Sequence, residues 1–539
     1  MTETYDLIIR NGTLYDGSGE SPFSADIGIK DKLIQKIGDL SAESAPVVID
    51  AHGQAVSPGF INVMSWAPIS LLHDGKSQSD IRQGVTLEVF GEAWSEGPLT
   101  PEMKAQILAD QDDIKFDVPW NTLGEYLTHL EEKGVSCNFA SYLGATTLRI
   151  YAMGYADRPP TADELDLMRK LTRQGMEEGA LGISTALIYP PGSYAGTDEL
   201  IELAKVAAQY DGIYISHLRS EGNQFLEGVD ELLAIAKKAG IRAEIYHLKA
   251  MGVDNWHKMS LVMGKVNAAR AMGLHITADM YTYPAGGTGL SAAMPPWVQE
   301  GGHEEFMARL KDPETRKKVY AEMSTPTDAW ENMFLMSGSA DNVILSAFKS
   351  EALRPLQGKT LGEVSKTRGT DPINTIIDLI IEDNSRVEAI YFTMTEENLE
   401  RQLQQPWVCI GSDASSQAPE GVFLNSRPHP RAYGTFARYL GKYVRERGVL
   451  PLEEAIRKIT SMPATNLRLK QRGYLKPGYY ADVVVFDPAS IQDHATFEDP
   501  QVYATGVSHV VVNGTPVIID GEHTGATPGM AVRGPGYRS

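Results

Sequence analysis

The run from residue 213 to residue 249 constrains the fold more than any other part of the chain. It reads Ile213-Tyr-Ile-Ser-His217, then a segment of helical spacing, then Ala243-Glu-Ile-Tyr-His247-Leu-Lys249. Each short apolar run is rich in β-branched and aromatic residues and is flanked by a glycine, Gly212 or Gly240, so each reads as a buried strand. Between them Leu226, Val229, Leu232, Leu233 and Ala236 recur at helical spacing, and Lys237 and Lys238 precede Gly240 as a C-terminal stop. A strand–helix–strand unit is parallel, and parallel strands bring their C-terminal ends side by side. Both ends carry a histidine.

At 539 residues the chain exceeds what one hydrophobic core supports, which predicts a large domain with a smaller companion. Apolar content of 42% with charged content of 22% is that of a globular soluble protein. A net charge of -21 argues against nucleic acid as a partner. No apolar run approaches a membrane span, and Met1-Thr-Glu-Thr-Tyr-Asp lacks the pattern of a signal peptide, so neither a membrane nor export is expected. Cys137 and Cys409 read as free buried thiols rather than a bridge, which fits a cytoplasmic location. A homo-oligomer stays open.

The two ends share a β-like style. Residues 5–10 and 13–15 are split by Asn11-Gly12, and residues 509–512 and 517–519 by Asn513-Gly514, two hairpin signals. The expectation is one small β-sandwich built from residues 1–57 and 466–539. From Pro58 the pattern becomes strand, helix, strand, helix, with strands expected at 60–65, 85–90, 138–143, 181–188, 213–216, 243–246, 275–281 and 407–411. Eight strands with intervening helices over residues 58–465 predict an α/β fold of the TIM (β/α)8 barrel type, whose active site lies at the C-terminal strand ends. The interval between strands seven and eight is too long for a bare loop, so an inserted subdomain is expected at about 290–350 after strand 7, where it could serve as a lid.

The expected mouth carries Met64, Trp66, Glu92, Tyr189, His217, His247, Lys249, Tyr281, Tyr283 and Asp413. Either histidine alone would pass for a core residue bonded to backbone; two at adjacent strand ends point to metal ligation, for which neutral imidazole suits zinc. Asp413, in Cys409-Ile-Gly-Ser-Asp413, is either a turn cap or a general base. In Glu88-Val-Phe-Gly-Glu92 alternation puts Glu92 highest on its face, where it either completes a zinc site or pairs with a base such as Arg82 or Arg219.

Ser57-Pro-Gly-Phe60, Tyr189-Pro-Pro191, Ser216-His-Leu-Arg-Ser-Glu221, His247-Leu-Lys249, Gly411-Ser-Asp413, His429-Pro-Arg431 and Gly434-Thr-Phe436 together resemble the amidohydrolase superfamily. Within it they are similar to the N-acyl-D-amino-acid deacylase (D-aminoacylase) branch, over nearly the whole chain. The resemblance implies a metal-dependent barrel with a β-sandwich from both termini. It also implies that His217 and His247 bind zinc, that Asp413 activates water and protonates the leaving amine, and that Tyr189, Lys249 and Arg431 hold a substrate carboxylate. Tyr283 resembles a residue near the scissile carbonyl, where a phenol could stabilise an oxyanion. The superfamily's first strand normally ends in His-x-His and binds a second metal, whereas here that place reads Asn62-Val-Met-Ser-Trp66. Thioether and indole are no substitutes for imidazole on zinc. Glu92 stands nearest to the branch's bridging cysteine.

These readings lead to a hydrolase using one zinc ion on His217, His247 and Glu92, with Asp413 and Tyr283 catalytic, cleaving the amide of N-acylated (D-)amino acids or related small amides. An alternative is a lactone, cyclic amide or other carbonyl substrate, with Met64 and Trp66 lining an apolar pocket; a third is a non-catalytic binding relative.

Overall fold

The structure, a computed structural model, describes residues 5–538. It is a mixed α/β fold whose largest elements are one terminal sheet and two parallel ones. Phe60–Asn62, Val85–Phe90 and Asn138–Ser141 pair parallel in that order. Leu143–Gly144, Gly182–Ala186, Ile213–His217, Arg242–Ile245, Ile276–Met280 and Val408–Ile410 form a second parallel series. Backbone bonds link the two series at both borders: Leu181 donates to the Ser141 carbonyl at 2.9 Å, and Trp66 to that of Ala414 at 2.9 Å.

Val85–Phe90 and Ile213–His217 are buried along their whole length, so even Thr86, Glu88 and Ser216 lie out of water. The helix Phe225–Ala239 covers one face with Phe225, Val229, Leu232, Ile235 and Ala236, each of the larger ones worth about 1.5–3 kcal/mol when withdrawn from water. It ends at Gly240, whose φ of 64° is the left-handed conformation a glycine cap adopts without penalty.

Both chain ends enter one nine-stranded sheet. Ala55–Pro58 lies between Leu7–Leu14, its parallel partner, and Val483–Phe486, its antiparallel one. Asn513-Gly514 makes the expected tight turn between Val507–Val512 and Thr515–Ile519. Asn11-Gly12 does not. Leu7–Leu14 is a single strand with a bulge between Ile9 and Gly12, and Asn11 at φ 56° supplies the kink. The same dipeptide thus relieves a register mismatch at one end and reverses the chain at the other.

In and beyond the stretch expected to hold an inserted unit, Glu388–Tyr391 is the central strand of a three-stranded antiparallel sheet, flanked by Gly286–Gly289 and Val343–Ala347. This region has its own core around Leu310, Val319, Leu345, Ile376 and Ile380. Cys137 and Cys409 are buried and free, and among the described residues no helix is long and apolar enough to cross a membrane.

The terminal sheet is tied to the strand Asn138–Ser141 by a buried polar knot. Asp482 accepts from the Asn138 amide at 3.2 Å and from the Asn513 backbone at 2.9 Å, and it is ion-paired to Arg472; Asn513 in turn donates to Asn138 at 2.7 Å. Asp482→Ala strands a buried guanidinium and two donors, so it should destabilise the fold by about 3–5 kcal/mol, read by reversible denaturant unfolding. A change within experimental error would show that the knot is dispensable.

Candidate metal and catalytic site

Three residues from separate strand ends converge on one point. His217 is the last residue of its strand. His247 lies two residues beyond the next strand, with φ 32°, and its N–H is fixed by a 2.8 Å bond to Asp279. Glu92 follows Gly91, whose φ of 101° and approach to the Tyr142 carbonyl leave no room for a side chain. That turn throws Glu92 inward: its Oε1 is 3.2 Å from Nδ1 of His217 and 3.2 Å from Nε2 of His247. The imidazoles meet edge to face at 4.4 Å.

Among the described residues, this is the group of three side chains able to hold a metal ion, with ligand atoms all within 4.8 Å of one another. Two imidazole nitrogens and a carboxylate oxygen suit zinc. The far nitrogens agree with this donor set: Nε2 of His217, buried and without a hydrogen bond, faces Oε2 of Glu221, equally orphaned, at 3.4 Å. The alternative bases for Glu92 are engaged elsewhere. Arg82 bonds Gln78 and the Gly521 carbonyl, and Arg219 bonds Glu231 and two backbone carbonyls.

The charges of this buried cluster act on one another. Burial alone would raise Glu92, but hydrogen bonds from His217 and His247 outweigh it and hold the carboxyl below its usual range. Burial lowers His217. For His247, burial and the Lys249 charge also press downward, but Glu221 and Glu92 prevail and raise it to about 10.

Asp413 sits across the mouth at φ 51°, with its N–H on the Met64 carbonyl at 2.9 Å. It caps nothing. Its Oδ1 accepts from the Trp66 indole at 3.1 Å, and its Oδ2 lies 2.7 Å from the Arg431 guanidinium. Lys249 reaches Glu221 at 2.7 Å, and Tyr189 donates to Thr288 at 2.9 Å while its ring meets His217 at 5.3 Å.

Two expected residues are placed differently. Met64 is 1% exposed in the core with Val63, Leu87 and Cys409, because the strand has ended at Asn62 and alternation no longer separates Val63 from Met64; Trp66 stays half-open on the surface. Tyr283 points away from the cluster: its hydroxyl donates to Asp493 at 3.3 Å and its ring packs on Phe497. The strand ends at Met280, so alternation no longer predicts direction by residue 283. Tyr281 takes the place expected of Tyr283. Its ring lies 4.6 Å from Arg431 and 5.9 Å from Lys249, and its buried hydroxyl makes no well-formed hydrogen bond. Burial raises its pKa, so it remains a proton donor.

The amidohydrolase family model matches residues 47–518. The chain is 32% identical to the D-aminoacylase of Alcaligenes xylosoxydans xylosoxydans, with 97% of each chain covered. A crystal structure of N-acyl-D-glutamate deacylase from Bordetella bronchiseptica, complexed with zinc and a phosphonate mimic of the tetrahedral intermediate, superposes with a TM-score of 0.82 at 29% identity, covering 98% of this chain and all of that one. A structure addressing the binuclear metal centre of D-aminoacylase, with one-metal activation and second-metal attenuation, gives 0.81 at 32% identity with the same coverage.

Because His247 holds its proton up to about 10, loading zinc onto metal-free protein at neutral pH should release at least one proton. Zinc affinity should then fall about tenfold for each pH unit lowered, per proton displaced. Calorimetry in buffers of different protonation enthalpy reads this directly; zinc uptake without proton release would take His247 out of the ligand set.

Proposed function

The chain belongs to the amidohydrolase family, and from that premise we propose that it hydrolyses the amide bond of N-acylated D-amino acids at a site holding one zinc ion. The observation that carries the reading is the convergence of Glu92, His217 and His247 beside an aspartate–arginine pair. The parallel strands are read as a (β/α)8 barrel, a reading supported by the bonds that join the two series at both borders. The count of one ion rests on Met64 and Trp66: a buried thioether and an indole N–H already committed to Asp413 offer no second cation a ligand.

Zinc on Glu92, His217 and His247 would supply Lewis acidity, which brings the pKa of water to about neutrality. The chain's own groups do the rest. Asp413, held at both oxygens by Trp66 and Arg431, accepts the proton of the attacking water and returns it to the departing nitrogen. Tyr281 donates to the oxygen that gains charge, in a buried setting where a fixed donor acts more strongly than in water. Arg431, Lys249 and Tyr189 receive the substrate carboxylate. Lys249 donates to Glu221 and to the His247 carbonyl at 3.1 Å, and its Nζ also lies 2.6 Å from Nδ1 of His247, so an incoming carboxylate draws the ammonium from one of these partners. Arg431 brings a planar fork matched to a carboxylate.

Asp413→Asn should lower kcat/KM on N-acyl-D-amino acids by about 10²–10⁴-fold, while zinc content stays that of wild type. His217→Ala should lose zinc and activity together. Chelation should abolish turnover, and added zinc should restore it. Undiminished hydrolysis in either variant, or an active enzyme free of metal, would sink the reading.

A further inference from the structure

One carboxylate outside the ligand set touches both histidines and Lys249. Glu221 is 1% exposed and follows His217 by four residues. Its Oε2 lies 3.4 Å from Nε2 of His217, its Oε1 3.0 Å from Nδ1 of His247, and the same Oε1 2.7 Å from Nζ of Lys249. Glu92 and Glu221 therefore face opposite nitrogens of the same two rings.

An imidazole that gives one nitrogen to a metal keeps its proton on the other, and the acceptor of that proton decides which nitrogen is free to bind. On His217 the nitrogen facing Glu92 is Nδ1, which leaves Nε2–H to Glu221; on His247 it is Nε2, which leaves Nδ1–H. Each oxygen of the one carboxylate thus lies beside one ring nitrogen, at 3.4 Å for His217 and 3.0 Å for His247. Nζ of Lys249 lies 2.6 Å from Nδ1 of His247, within hydrogen-bond distance, so the ammonium and Oε1 of Glu221 compete for that nitrogen. If Lys249 instead donated to Nδ1, the ring proton would move to Nε2 and His247 would leave the ligand set.

The backbone at Glu221 is itself held. Glu331, from the inserted unit, accepts from the Ser220 hydroxyl at 2.6 Å, the Glu221 N–H at 2.6 Å and the Gly222 N–H at 2.8 Å, and the Glu221 carbonyl accepts from Met251 at 2.8 Å. We propose that Glu221 is a positioning residue that sets the tautomer and tilt of both metal-binding histidines while balancing the charge of Lys249. The assignment rests on Glu92, His217 and His247 being the metal ligands.

The test compares metal-free wild type, Glu221→Gln, Lys249→Met and the double variant Glu221→Gln/Lys249→Met, titrated with zinc against a chromophoric chelator and with cobalt(II) by visible absorption. Glu221→Gln alone leaves a lysine buried without its partner; the double variant removes the pair together and keeps the measurement interpretable if the single variant fails to fold. The double variant should bind zinc about 10–100-fold more weakly than wild type and show an altered cobalt spectrum. Lys249→Met should bind zinc at least as tightly as wild type, because a neighbouring positive charge is gone. Wild-type zinc affinity and an unchanged cobalt spectrum in the double variant would overturn the positioning role. A wild-type protein that takes up no zinc would overturn the ligand assignment beneath it.

Discussion

Two imidazoles suspended between two buried carboxylates are the constraint on which the rest of the site depends. Neither Glu92 nor Glu221 could remain charged out of water alone, since an isolated buried carboxylate would protonate. Each is kept ionised by the histidines, and Lys249 supplies the remaining positive charge on the Glu221 side. The arrangement is exacting because each ring nitrogen has one acceptor within reach. A ring that turned over would strand two buried polar atoms at once.

The same cluster joins parts of the chain distant in sequence. Glu92 comes from the second parallel strand, the histidines from the middle of the second series, and Glu331, which fastens the Glu221 loop, from the inserted unit. Burial raises Glu331 to about 7, the Glu221 charge adding to the effect, while three donors hold it in place. The insert is therefore part of the scaffold of the metal site and not only a neighbour of the mouth.

Much of this was legible from residues. The strand–helix–strand unit around His217 and His247, with Gly240 as its stop, is visible because two short apolar runs flank a segment of helical spacing. Glu92 was legible by alternation along Val85–Phe90. What escaped depended on chain direction beyond a strand's end. Tyr283 and Tyr281 are two residues apart, and only the end of the strand at Met280 decides which phenol stays in the mouth. Asn11-Gly12 and Asn513-Gly514 share a local signal, and tertiary pairing alone tells the bulge from the turn. Glu221 was visible as a motif residue, but its role needs the second histidine, which arrives only with the fold.

The nine-stranded sheet also fixes when the molecule can be finished. Ala55–Pro58 is made early, yet one of its two neighbours, Val483–Phe486, is made only after the whole α/β region. At ordinary elongation rates that edge stands open for on the order of 20–80 s, long enough for the intervening strands and helices to fold first. An unpaired sheet edge is a template for wrong partners, and this one carries no charge, only Pro58 at its end, to deter them. Completion of the nascent chain is thus the closing of a seam, and a late strand that fails to dock leaves a folded metal site on a molecule still prone to aggregate.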